Sequence, residues 1–179
     1  MAPSAQADVL PAVPGPSRRF GRASGVTLHF AYGSNMSRTL MSRRCPHARA
    51  QGVATLARWR FVINPEGFGS LAPWPGGCVH GVLWRLTPRD LAAINAYESV
   101  DAGLYVRRWL AVRSGARHAL ALIYVTGRAG EGIPRPGYID LVVGAAQEWG
   151  LPASYIRSLR RWSPSRWCGV RARDTGELG

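Results

Sequence analysis

The sequence predicts an α+β fold: a curled mixed β-sheet or small barrel of five or six strands, with α-helices flanking it. Three observations carry that expectation. Short runs rich in β-branched, aromatic and leucine residues recur along the chain, several with polar–apolar alternation. Helical stripes with clear start and stop signals lie between and after those runs. With 179 residues and 46% hydrophobic composition, the chain is long enough to bury one sizeable core, so a single domain is expected.

Taken in order, residues 1–25 read as a disordered leader. Ala, Pro, Ser and Gly dominate there and no hydrophobic period appears. The folded domain is expected over 26–164, beginning with a β-prone run at 26–31. Gly33 breaks that run, and Ser34-Asn35 can cap a helix over 36–44. Alternating runs follow at 54–63 and 78–86, separated by a Gly/Pro-rich loop at 65–77. Thr87-Pro88-Arg89-Asp90 is a helix start: Thr87 caps, Pro88 takes the first helical position, and Asp90 sits in the first turn. Leu91, Ala93 and Ile94 continue that helix to Tyr97 and Glu98. Strands at 104–112 and 118–125 pair as a hairpin around Ser114-Gly115-Ala116. Pro134 and Pro136 open the last region, with helices over 138–149, stopped by Gly150, and 152–161, stopped by Pro164. Residues 165–179 are expected to form an irregular tail.

The formal net charge is +13, and all 23 basic residues are arginine. The absence of lysine beside abundant Ala, Gly, Pro and Arg points to compositional drift as the source of the arginine choice. The field still attracts small carboxylate-bearing ligands. Because the arginines are scattered and no RNA-binding or helix-turn-helix signature occurs, no specific nucleic-acid partner is expected. No uninterrupted apolar stretch has the length of a membrane span, and the N-terminal arginines follow rather than precede an apolar run. No membrane partner and a cytoplasmic location are therefore expected, and assembly as a homodimer is left open. Three cysteines in a chain without an export signal read as reduced thiols. Cys45-Pro46-His47 and Cys78-Val79-His80 repeat a Cys-x-His pattern, but a single intervening residue strains a zinc chelate. No metal site is expected; Cys78 is expected to pack in the interior and His47 to lie at the surface.

Two constellations can carry chemistry. Phe30-Ala31-Tyr32-Gly33-Ser34-Asn35 places a glycine turn between a strand and a helix start, where free N–H groups can hold a carboxylate. The same residues fit a plain strand-to-helix turn with a good cap, and spacing alone leaves both readings open. Glu98 ends an apolar helical stretch in a chain with ten acidic residues. Buried there, its pKa rises and it becomes a proton shuttle near neutral pH; exposed, it is a solvated glutamate at a helix end.

These blocks together resemble the γ-glutamylcyclotransferase superfamily. Phe30 to Asn35 is similar to its Tyr-Gly-Ser-Asn signature, and Gly81-Val82-Leu83-Trp84 to its Gly-Val-Leu/Val-Trp strand. The stretch 91–105 resembles its helix, glutamate and following Gly-x-Tyr. The stretch 136–152, with Tyr138 and Gly150-Leu151-Pro152, resembles its C-terminal helical segment. The resemblance covers roughly residues 27–164. It implies an enzyme that converts a γ-glutamyl amino acid or amide to 5-oxoproline without a cofactor, with a small γ-glutamyl molecule as its substrate. It also implies Glu98 as general acid/base. His29, Phe30, Ala31, Tyr32, Gly33, Ser34 and Asn35 would then line the substrate site, Tyr138 would close it, and Tyr105 would add to its wall. The leader and the arginine load are not part of the motif. Arg107 and Arg108 read as solvated charges on a strand face.

Other readings fit the same residues. The same fold could act on γ-glutamyl amines or on a γ-glutamyl-protected biosynthetic intermediate. A hydrolase using Ser34 or Cys78 as nucleophile lacks both a nucleophile elbow and a carboxylate placed to orient His29, His80 or His118. A basic, non-enzymatic binding protein would show steep salt dependence.

Overall fold

In a computed structural model of the chain, residues 25–163 are described. The expected leader, all but its last residue, and the tail lie outside the described residues. Five strands close into a barrel in the order β1-β3-β2-β4-β5, with four helices around it. The predicted fold class is therefore the observed one.

Strand β1 (Thr27–Ala31) buries His29, Phe30 and Ala31. It pairs antiparallel with β3 along its whole length. It also closes the barrel by pairing parallel with β5 at His29 and Leu122, which makes the sheet mixed. A single 3-10 turn (Ser34–Met36) follows, then helix α1 (Arg38–Arg44). The expected helix over 36–44 is thus divided. Ser37 sits in extended backbone, and its hydroxyl accepts from the Leu40 N–H at 3.3 Å. The cap is Ser37 rather than Ser34-Asn35, which leaves those two residues free to face a cavity.

Strands β2 (Arg49–Ile63) and β3 (Gly69–Leu86) form one long hairpin. The expected loop at 65–77 is mostly strand. Phe61 pairs with Leu71 and Trp59 with Pro73, so the ladder with β2 overrides local Pro and Gly signals. Residues 74–77 are the extra length. They lie between the Trp59–Pro73 and Ala57–Cys78 pairs, where no ladder donor is required of Pro75. Gly77 is needed there because a Cβ would meet the Trp59 carbonyl oxygen at 2.3 Å. Cys78 is exposed and Cys45 is the buried thiol, so the expectation that Cys78 packs inside is corrected. The alternation of β3 puts Val79, not Cys78, inward.

Helix α2 (Pro88–Tyr97) starts as its sequence dictates. Thr87 accepts from the Asp90 N–H, and the Asp90 carboxylate accepts from the Thr87 N–H, a reciprocal capping box with Pro88 in the first turn. Strands β4 (Tyr105–Ser114) and β5 (Arg117–Thr126) pair antiparallel from Tyr105–Thr126 to Ser114–Arg117, the expected hairpin. Helices α3 (Tyr138–Glu148) and α4 (Ala153–Arg160) pack Ile139, Val142, Ala146, Tyr155 and Leu159 into the one core cluster. Arg107 and Arg108 are exposed, as read. Among the described residues no helix is long and apolar enough to cross a membrane, and no group of three or more His, Cys, Asp or Glu is placed to hold a metal ion.

Candidate active site

One cavity of about 280 Å³ opens where the end of β1, the 3-10 turn, the end of α2 and the start of α3 meet. All ten residues singled out in the sequence line it: His29, Phe30, Ala31, Tyr32, Gly33, Ser34, Asn35, Glu98, Tyr105 and Tyr138. The fold thus brings together segments that are far apart in the chain.

The turn supplies the donors. Its first internal bond is donated by the Met36 N–H to the Gly33 carbonyl, and the next by Ser37 to Ser34. The N–H groups of Ser34 and Asn35 therefore precede the turn's own bonding, and Gly33 at its mouth lets a ligand approach the backbone.

Glu98 caps the C-terminus of α2, its N–H donating to the Ile94 carbonyl at 2.9 Å. Ser99 then takes a left-handed φ of +50°, a conformation that costs a serine free energy and turns the chain sharply away. The Glu98 carboxylate accepts from the Asn35 side-chain amide at 2.7 Å. Burial pushes its pKa up; the Asn35 hydrogen bond and the Arg44 charge pull it down, and it settles at about 7. A carboxyl poised there exchanges a proton readily at neutral pH.

Tyrosines form much of the rest of the wall. The Tyr138 hydroxyl stands where side chains on Gly33 and Gly69 would be, since a Cβ on either would lie 2.8 or 2.7 Å from its oxygen. Phe68 holds the ring edge-on at 5.5 Å. Tyr105 donates to the Gly69 carbonyl at 2.8 Å, Tyr32 to the Tyr124 carbonyl, and Tyr124 to Asn95 Oδ1 at 2.7 Å. Burial raises the pKa of Tyr32, Tyr105, Tyr124 and Tyr138, so all four stay protonated donors. His29 is buried, with Nδ1 3.1 Å from the Leu122 carbonyl. Burial lowers its pKa to about 4, so it is neutral at physiological pH. Because a carbonyl only accepts, the proton sits on Nδ1, and Nε2 is left without a partner.

Sequence reasoning missed Phe68, Gly69, Tyr97 and Tyr124, which also line the cavity, and Arg44, which holds its rim. Phe68 and Gly69 fell in the stretch read as loop, and Tyr124 looked like ordinary strand core. Arg44 ends α1 with no local mark of its role.

The model of the AIG2-like family matches residues 78–159 of the chain. A γ-glutamylcyclotransferase of Bos taurus is 28% identical over 162 residues, spanning 84% of this chain and 86% of that protein. The Homo sapiens γ-glutamylcyclotransferase is 27% identical over 163 residues with the same coverage. A solved structure of a γ-glutamyl cyclotransferase superposes with a TM-score of 0.73 at 25% identity, covering 86% of this chain and 94% of that one. The family model, the curated relatives and the solved structure together support a place for the chain in the γ-glutamylcyclotransferase-like superfamily. The fold is also similar to that of YkqA of Bacillus subtilis, with a TM-score of 0.66 at 23% identity over 77% of this chain and 54% of that one. Glu98 and the turn around Gly33 line one cavity and are joined directly by the Asn35 hydrogen bond.

Proposed function

We propose that this protein is a γ-glutamylcyclotransferase, releasing 5-oxoproline and a free amine from a γ-glutamyl amino acid or amide, with Glu98 as general acid/base. The observation that carries this reading is the Glu98 carboxyl, raised by burial to a pKa of about 7, in one cavity with the turn around Gly33 and four protonated tyrosines.

The attacking group belongs to the substrate. Its α-amine closes a five-membered ring on its own γ-carbonyl, so high effective concentration comes with the molecule once the folded conformer is held. The Ser34 and Asn35 N–H groups, set beside Gly33, would hold the α-carboxylate. Ionised Glu98 would take a proton from the α-ammonium, freeing the amine to form the new C–N bond. As the tetrahedral centre collapses, the old amide C–N bond breaks, Glu98 returns the proton to the departing nitrogen, and the second proton of the ring nitrogen passes to the released amine, which leaves as an ammonium. Protonated Tyr138 is the donor nearest in kind to an oxyanion stabiliser, since the Tyr105 hydroxyl already donates to the Gly69 carbonyl. Each step uses groups of the chain and of the substrate and needs no cofactor.

The test is 5-oxoproline release from γ-glutamyl-alanine, glutathione and γ-glutamyl-ε-lysine, with Glu98→Gln alongside. The wild type is expected to turn over at least one. Glu98→Gln is expected to fold and lose roughly a hundredfold to ten-thousandfold in kcat, the usual yield of general acid–base catalysis. Undiminished turnover in Glu98→Gln would sink the assignment. Because the base must be ionised, kcat/KM is also expected to rise with pH through about 7 and then level.

A further inference from the structure

We propose that Arg44 is a positioning residue for Glu98, acting through the side-chain amide of Asn35. The inference rests on the reading of Glu98 as acid/base for its functional meaning, and on geometry alone for its physical content.

Arg44 is the last residue of α1, on the rim of the cavity rather than in it. Its Nη1 donates to Asn35 Oδ1 at 2.5 Å and to Ser34 Oγ at 3.3 Å. Nη2 donates to the Tyr97 hydroxyl at 2.6 Å, and the guanidinium carbon lies 3.5 Å over the Tyr97 ring. One planar group therefore ties the turn after β1 to the end of α2, next to Glu98. A guanidinium can only donate, so the oxygen of the Asn35 amide must face Arg44. The NH2 end must then face the other way, where Glu98 Oε1 accepts it at 2.7 Å. The orientation of the amide, which coordinates alone leave ambiguous, is here dictated by chemistry. Without Arg44 the amide could turn its oxygen toward the carboxylate, and the donor that favours ionised Glu98 would become a repulsive acceptor.

The surroundings of Glu98 make that single donor decisive. Tyr32, just after β1, faces it together with Tyr105 of β4, Tyr124 of β5 and Tyr138 of α3, and Tyr97 precedes it on α2. Burial keeps Tyr32, Tyr105, Tyr124 and Tyr138 neutral at physiological pH, so those four supply no charge. Arg44 is the one basic group acting on the carboxyl among the described residues, and Asn35 is its one side-chain hydrogen-bond partner.

The experiment is a carboxyl 13C NMR titration of the full-length protein labelled at glutamate, with Glu98→Gln assigning the resonance. Arg44→Ala is expected to raise the Glu98 midpoint by about one pH unit, the order of effect of a lost neighbouring charge and hydrogen bond. In an Asn35→Ala background the same change is expected to shift the midpoint by only a few tenths, because the route is already cut. No shift in the Arg44→Ala protein overturns the proposal. An equal shift in both backgrounds overturns the route through Asn35 and leaves a bare charge effect. Should Arg44→Ala unfold, Arg44→Gln, which keeps the stem across the Tyr97 ring, is read by the same criteria. The titration needs no substrate. A midpoint near 7 that moves as expected in a protein that releases no 5-oxoproline would refute the proposed reaction and leave this inference standing. Where turnover is found, the rising limb of kcat/KM is expected to move by the same amount as the midpoint.

Discussion

The two ends of helix α2 carry two buried carboxyls with opposite fates. Asp90, in the first turn, is only 1% exposed, yet its pKa lies below the usual aspartate value. Burial pushes it up, and hydrogen bonds from the Thr87 side chain and backbone and from the His47 backbone outweigh that push. Glu98, at the other end, is half-buried and sits at about 7. The Glu98 carboxyl is the more strongly desolvated of the two, and it also has fewer donors. Asp90 accepts from the Thr87 hydroxyl at 2.7 Å, the Thr87 N–H at 3.1 Å and the His47 N–H at 3.3 Å. Glu98 accepts from Asn35 alone. The helix adds to the contrast, since its N-terminus favours an anion and its C-terminus opposes one. Desolvation and the donors around the oxygen decide ionisation together. One carboxyl is spent on holding the helix, and the other is left short of partners and able to work.

That division predicts opposite outcomes for paired substitutions. The largest effect expected is on turnover: Glu98→Gln loses roughly 3–5 kcal/mol of transition-state stabilisation while its melting temperature stays at least as high as the wild type's. Asp90→Ala is expected to do the reverse. It removes the cap and strands the Thr87 and His47 N–H groups, at a cost of about 2–3 kcal/mol of folding free energy. The kcat of the folded fraction is expected to stay within about twofold. Denaturant melts and 5-oxoproline assays on both variants check the pair. A Glu98→Gln protein as destabilised as Asp90→Ala would break the comparison, because it would make Glu98 a structural residue too.

The Asp90 end of this comparison was legible in the sequence and the Glu98 end only half so. Thr87, Pro88 and Asp90 act within four residues of one another, and capping chemistry of that range reads directly from the chain. Glu98 and the 29–35 segment were legible as motifs. What makes Glu98 unusual is not local, however. Asn35 reaches it across 63 residues, and Arg44 reaches Tyr97 across 53. Gly69, which leaves room for Tyr138, lay hidden in a stretch whose prolines and glycines read as loop. Only the pairing of 69–73 with β2 makes it strand. Barrel closure between His29 and Leu122, 93 residues apart, likewise has no local signature. Such contacts arise when non-local pairing overrides propensity.

The subtlest expected effect is on stability against pH, and it sharpens the comparison most. Asp90 has a folded pKa below its unfolded one, so its contribution is present above the unfolded pKa and is lost as pH falls through the folded value, in the acid range. Glu98 has the opposite sign. Its folded pKa of about 7 lies above the unfolded value of 4.5, so the folded protein binds the extra proton between those values. Stability is therefore expected to fall as pH rises from about 4.5 to 7 and to level beyond about 8. Glutamine cannot ionise, so Glu98→Gln is expected to match the wild type near pH 4.5 and to exceed it at pH 8 by about 1–3 kcal/mol. Urea melts of both proteins at pH 4.5, 6, 7 and 8 measure the difference. Superimposable curves would mean that the carboxylate is as well solvated in the fold as out of it, and the contrast between the two ends of α2 would collapse. Divergent curves would mean that the protein carries, at neutral pH, an ionised group that weakens its own fold. A glutamine of nearly the same shape would remove that burden, so packing gives no reason for the carboxylate, and proton transfer is the property that distinguishes the two side chains.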